Sequence, residues 1–379
     1  CFAARSRDDN FLRICTCDLN ETSRFRIGPE LGPVVGRWDN YPMTVARRLA
    51  RNFRSVGLKG ADIAFTGDLP PAAGMSSSSA MIVGFFMVMS AVNDLRRTRE
   101  YSGQISTPEH LAEYLGAVEN GQGFGSLTGD RGVGTFGGSE DHTAILLSQP
   151  NELSQFAFCP VRRERRIPWP AGWSMAVAGS GIESAKTGQA MAKYNQASAI
   201  ASKIVDLWNA STGQSLGRLA EIIELGPRAC EEMRQILRRA SGLEYTPAEL
   251  IARFEQFNEE SNIIIPAAGD ALACGRIERF GELAGRSQQL AQQLLGNQVS
   301  QTIHLACSAR RCGAAAASAF GAGFGGAVWA LVRDENVRDF LDRWSKDYTE
   351  TFPELSQKAR FFTTLAGGGK FELTRTGEK

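Results

Sequence analysis

At 379 residues, 43% of them hydrophobic, the chain is long enough to bury a sizeable core, and its length is a soft prior for two domains. Forty-two basic against forty-one acidic residues leave a formal charge of +1, so no whole-molecule field argues for nucleic acid or an anionic membrane as partner. The longest apolar stretch, Ala80 to Val92, is broken by Gly84 and Ser90 and falls short of the roughly 18 residues of a membrane span, so a buried helix is expected there.

Leu12 to Asp18 and Arg24 to Ile27 alternate as strands do, and Ala61 to Thr66 gives another, ending in the turn-rich Gly67-Asp68-Leu69-Pro70-Pro71. Between them Tyr41 to Phe53 has helical periodicity. Ser76 to Ser79 are expected to cap an apolar helix continuing to about Asn93, because serine oxygens satisfy the free N–H groups of a first turn. A second helix covers Pro108 to Glu119, and a glycine-rich stretch from Gly121 to Gly138 leads into Thr143 to Leu147. Near Arg162 to Pro170 a basic cluster and two prolines precede a strand at Trp173 to Ala178, so the expected domains are residues 1–168 and 169–379. Helical patterns run from Gln189 to about Ala240 and from Pro247 to Leu295. An Ala-rich helix at Ser308 to Ala319, a glycine-rich loop and a strand at Ala327 to Val332 follow. Helices and strands mix without regular βαβ alternation, which points to an α+β fold.

Eight cysteines are sparse for this length. The close pairs, Cys15 with Cys17 and Cys307 with Cys312, make no zinc-type spacing with each other or with His110, His142 and His304. Reduced thiols in a cytoplasmic protein are expected.

Four segments carry chemistry. Pro70 to Ala80 places small residues and hydroxyls just before a helix, where backbone N–H groups and the positive end of the dipole can hold phosphate; the alternative is a solvated Ser-rich cap. No Gly-Lys-Ser/Thr follows, so this is not a Walker A loop. Glu119-Asn120 ends a predicted helix, and Gly137-Gly138-Ser139-Glu140-Asp141-His142 follows the glycine-rich stretch. Phosphoryl transfer needs an oxygen ligand for Mg²⁺ and a carboxylate for the attacking hydroxyl, and two carboxylates on separate segments suit those roles. Glu140 competes with Asp141 on composition alone. The fourth segment is Phe320 to Gly326, where glycines let the backbone approach a ligand.

The order of Gly74 to Ala80, Val118-Glu119-Asn120, Gly138 to His142 and Gly321 to Gly326 resembles that of the galactokinases, within the GHMP kinase superfamily. Trp38-Asp39-Asn40-Tyr41, Tyr194-Asn195, Phe280-Gly281-Glu282-Leu283 with Ser287, and Val299-Ser300 are similar to further family segments, so the likeness spans residues 38 to 332. The resemblance implies a two-domain GHMP kinase fold, the N-terminal domain similar to domain 2 of ribosomal protein S5 and the C-terminal one ferredoxin-like. It implies ATP and Mg²⁺ as cofactors, with Ser78 and Glu119 on the metal. Gly74, Met75, Ser76, Ser77, Ser78, Ser79, Gly323 and Gly325 would serve the nucleotide. Asp141 would be the catalytic base facing the sugar, with Gly138 and Tyr194 beside it. The expected function is transfer of the γ-phosphate to a hydroxyl, anomeric in such a family, of a monosaccharide or sugar acid, by a monomer or homodimer with no nucleic-acid or membrane partner. A silent sugar and ATP sensor and a kinase of non-sugar alcohols are the alternatives.

Departures bear on the acceptor. His142 stands where the family has glutamine, Phe320 where it has threonine, and Gly181-Ile182-Glu183-Ser184 replaces a motif ending in histidine. The Glu119 to Asp141 segment is longer than the family's. The family's sugar-gripping motif, upstream of its first strand, has no counterpart, so the chain as given is expected to bind ATP but to phosphorylate sugars poorly until a further strand and loop are restored upstream.

Overall fold

A computed structural model describes the chain apart from Pro33, Val35, residues 70–73, residues 183–187, Ala322 and residues 374–379, and apart from the side chains of residues 188–191 and Tyr194. Two compact units divide it: Cys1–Leu69 with Ser76–Arg166 and Ala366–Lys379, and Pro70–Met75 with Ile167–Leu365.

The first unit contains β1 (Phe2–Ser6), β2 (Phe11–Thr16), β3 (Glu21–Arg26), α1 (Asn40–Asn52), β4 (Ala61–Phe65), α2 (Ser77–Val92), α3 (Arg99–Gln104), α4 (Pro108–Asn120), α5 (Glu140–Leu147) and a hairpin of β5 (Glu152–Ala157) with β6 (Arg162–Pro168). The first four strands form a sheet in the order β1-β4-β2-β3, with β2 and β3 antiparallel and β2 and β4 parallel, Ile14 standing opposite Ile63. Leu12, Ile14 and Thr16 alternate into the interior, as the two-residue period of a half-covered strand requires. Leu12 and Ile14 share a core with Val45 and Leu49 of α1, Phe53 just after it, Ile82 and Phe86 of α2 and Tyr114 of α4. The outward side carries polar pairs, including Arg5 and Arg7 on Asp62, whose carboxyl they hold below its usual value. Helix α2 is apolar nearly all round because α1, α4 and α5 all pack on it.

The second unit contains β7 (Trp173–Gly179), α6 (Gly188–Thr212), α7 (Leu219–Glu224), α8 (Pro227–Arg239), α9 (Pro247–Glu259), α10 (Ile265–Ala273), α11 (Ile277–Leu290), α12 (Ser300–Arg311), β8 (Ala316–Ala319), β9 (Ala327–Arg333), α13 (Val337–Thr351) and β10 (Arg360–Thr364). Its antiparallel sheet runs β10-β7-β9-β8. Ala176, Ala178, Val328 and Ala330 bury one face against Leu305, Phe340, Trp344 and Tyr348 of α12 and α13. A separate helical core gathers Ile204, Trp208, Met233, Leu237 and Phe254.

One expected element is corrected. The Ala-rich run from Ser308 to Ala319 is not a single helix: α12 ends at Arg311, Gly313 adopts a left-handed φ of +103°, and Ala316–Ala319 is strand β8, paired with β9. Alanine favours helices, but here ladder bonds and a tightly packed sheet override propensity. Among the described residues no helix is long and apolar enough to cross a membrane.

Candidate active site

Helix α2 begins in a run of four serines, and these differ in what they reach. Ser76 occupies the N-cap position in a left-handed conformation (φ +59°) and makes no side-chain bond to the helix, so the expected serine cap is not formed. The first-turn N–H groups therefore point out of the helix end unclaimed by their own N-cap. Ser79, 1% exposed, donates its Oγ–H to Glu119 Oε2 at 2.8 Å and lies 3.5 Å from Asp141 Oδ2. Ser78, expected beside Glu119, is half-buried one position earlier, about 100° round the helix. The serine on Glu119 is thus Ser79.

Glu119 stands in the last turn of α4 and is 3% exposed. Asp141 and His142 lie in the first turn of α5. Asp141 is half-buried and turned toward Ser79, whereas Glu140 is exposed, which separates two carboxylates that composition could not. His142 brings Nε2 to 3.0 Å from Glu119 Oε2.

The long glycine-rich segment that joins these helices is built into the unit. Asn120 donates to the Gly116 and Gly138 carbonyls at 2.8 and 3.2 Å and accepts from the Gly137 N–H at 2.6 Å, closing the segment back on α4. Val133 N–H donates to the Glu119 carbonyl at 2.8 Å. From α1, Arg47 pairs with Asp130 at 2.6 Å and donates to the Gly132 carbonyl, Asn40 donates to Val133, Asn52 to Thr128 and Arg48 to the Gln122 carbonyl. Burial draws the Arg48 guanidinium below its usual value, opposed by Tyr114 and Asp130. Arg47 and Asp130 went unnoticed in the sequence, where the one available signal was buried-type spacing on α1, and Asn120 was noticed only as part of a motif, without this role.

In the second unit the loop from Phe320 to Gly326 is held by the backbone carbonyl of Asn297 and the side-chain amide of Gln288. Phe324 N–H donates to the Asn297 carbonyl at 2.5 Å, and a Cβ on Gly323 would stand 2.1 Å from that oxygen, so only glycine fits. Gln288 Oε1 accepts from Ala319 N–H at 2.8 Å and from Ser318 Oγ at 3.2 Å at the root of the loop. Gly325 is buried and Gly138 exposed. Tyr194 falls in α6 with its side chain outside the described residues, and Glu183 and Lys186 lie outside them entirely.

The family model described as GHMP kinases N terminal domain matches residues 40–129, the stretch that carries α1, α2 and α4 and with them Ser79 and Glu119. Over that stretch the chain is similar to the GHMP kinases. Among curated relatives, the chain is similar to the galactokinase of Chloroflexus aggregans, 25% identical over 342 residues, 89% of this chain and 77% of the relative. It is likewise similar to the galactokinase of Halalkalibacterium halodurans, 26% identical over 96% of this chain and 82% of the relative. The structure of Lactococcus lactis galactokinase complexed with galactose shares the fold, with a TM-score of 0.77 and 21% identity over 98% of this chain and 86% of that one. Mevalonate kinase from Methanococcus jannaschii shares it more distantly, at 0.54 and 12% identity over 96% and 86%. A mixed α+β GHMP kinase fold is therefore shown, and the relatives are phosphotransferases.

Proposed function

We propose that this chain is a GHMP kinase that transfers the γ-phosphoryl group of ATP to a hydroxyl, anomeric or similar, of a monosaccharide or sugar acid. The observation that carries this reading is the meeting of Ser79, Glu119 and Asp141, which sets carboxylates from two helices at one hydroxyl in the first turn of a third. Likeness to galactokinases, one of them solved with galactose, supports a sugar as acceptor.

Glu119 and Ser79 are hard oxygen donors of the kind Mg²⁺ takes. Among the described residues no three His, Cys, Asp or Glu side chains form a metal-binding group, which suits an ion held by one or two carboxylates and by phosphate oxygens. When bound, the cation offsets charge on the phosphoryl group in transfer. The α2 N-terminus, with Gly74, Met75 and Ser76 to Ser79, offers N–H groups and dipole to the phosphates. Gly323 and Gly325 are proposed to serve the nucleotide as well, Gly138 and Tyr194 the acceptor. Asp141 orients the acceptor hydroxyl and takes its proton as the new O–P bond forms and ADP leaves.

ADP release by the full-length protein with Mg²⁺, against aldoses, uronic acids and heptoses, tests the reading. Release that depends on one sugar class supports it. ATP turnover indifferent to every sugar would refute it.

A further inference from the structure

His142 is not used by the chemistry above, yet it is 1% exposed at the heart of the site. Its Nδ1 has no hydrogen-bond partner among the described residues. Its Nε2 is 3.0 Å from Glu119 Oε2, but the ring is not aligned to make that contact a hydrogen bond. Buried polar atoms left in this state ask for an explanation, since desolvation is incurred without a bond in return. The neighbouring side chains supply one. Asp141 and His142 are adjacent in the first turn of α5, about 100° apart around the helix, so one turn presents the first to Ser79 and the second to Glu119. A carboxylate that ligates a cation depends on outer partners to hold its orientation.

Resting on the kinase reading, in which Glu119 takes the cation, we propose that His142 is a positioning residue. In the loaded enzyme its Nε2–H bonds to Glu119 and fixes the carboxylate, without touching phosphate or acceptor. A small rotation of the ring completes a contact already at hydrogen-bond distance. The same small shift would leave Ser79 free to turn its oxygen to the cation while Glu119 keeps a donor.

The test reads cation binding, not turnover: Mn²⁺ affinity of the full-length protein with a non-hydrolysable ATP analogue, by electron paramagnetic resonance, with folding checked by circular dichroism. His142→Phe, which fills the space without a donor, is expected to weaken Mn²⁺ by roughly 10- to 100-fold, with Mg²⁺ losing as much in competition. His142→Gln, whose amide can still donate to Glu119, is expected to recover most of that loss. If His142→Phe does not fold, His142→Asn takes its place, being too short to reach Glu119. A folded His142→Phe with wild-type affinity, or a glutamine variant as weak as the phenylalanine one, overturns the proposal. So does a loss confined to Co²⁺, which would make the ring itself a ligand. Glu119→Gln separates the two levels. If it leaves Mn²⁺ binding intact, the cation assignment of Glu119 fails; if it weakens binding while the His142 variants do not, only the present proposal fails.

Discussion

At Asp141 the geometry makes a sharp demand, because its neighbour Glu140 carries the same chemistry but is exposed. Asp141→Asn is expected to leave nucleotide affinity near wild type and to lower kcat by about 10²- to 10⁴-fold, the usual contribution of a positioned general base, with Glu140→Gln mild. Steady-state kinetics beside calorimetric ATP binding measures both, and a variant keeping more than half of wild-type kcat would make Asp141 structural. A second expectation separates the serines. Ser79→Ala and Glu119→Gln should raise the Mg²⁺ concentration needed for half-maximal rate, and Ser78→Ala should do so less, because Ser79 is the residue at Glu119. Equal Mg²⁺ titrations for both serine variants would contradict this. Motif order singled out Glu119 and Asp141, which the structure brings to one serine, but it did not say that this serine is Ser79. Four consecutive serines at a helix start differ only in rotation about the axis, which depends on where the first turn begins. His142 was visible as a departure, though its contact with Glu119 was not.

Whole elements show where sequence pattern and tertiary context part company. Long periodic stretches such as Asn40–Asn52 and Pro108–Asn120 announced themselves because burial of one face sets their spacing. Strand β6 did not, since Arg162, Arg163, Glu164, Arg165 and Arg166 give a half-exposed hairpin the look of a charged linker. Strand β8 was hidden by alanines. The glycine-rich segment after α4 was read only as a stretch rich in glycine, and its order depends on buried partners in α1 far away in sequence. Arg47 and Asp130 are each 2% exposed, so Asp130→Ala strands a buried guanidinium and should cost about 3–5 kcal/mol in unfolding experiments. Adding Arg47→Met should return part of it, and additive losses would contradict the pairing. The helical region of the second unit offers a pH test. Burial raises the Glu260 carboxyl above its ordinary 4.5, and the Ser287 hydroxyl at 2.9 Å pulls it partly back. With the folded-state value raised, the native protein binds more protons than the unfolded chain once pH passes 4.5. The favourable contribution is complete below 4.5 and is lost as pH rises through the raised value. Glu260→Gln, which keeps an acceptor for Ser287, should therefore melt close to wild type at pH 4 and above it at pH 8. A difference independent of pH would place its cause elsewhere.

At the scale of the whole molecule, a near-neutral chain presents two units, each with a sheet and helices and its own core. The order of the glycine-rich and acidic segments carried the family because those segments sit where helix ends and loops expose backbone, positions that chemistry constrains more tightly than packing does. The acceptor was not legible, since the residues that would grip a sugar hydroxyl are set by three-dimensional placement and not by local pattern. The most direct measurement is sugar-dependent ADP release by the full-length protein with Mg·ATP, wild type beside Asp141→Asn. The expected result is release that requires a sugar or sugar acid in the wild type and falls by at least about 10²-fold in the variant. Release that needs no sugar, or that persists undiminished in Asp141→Asn, would contradict a kinase whose base is Asp141.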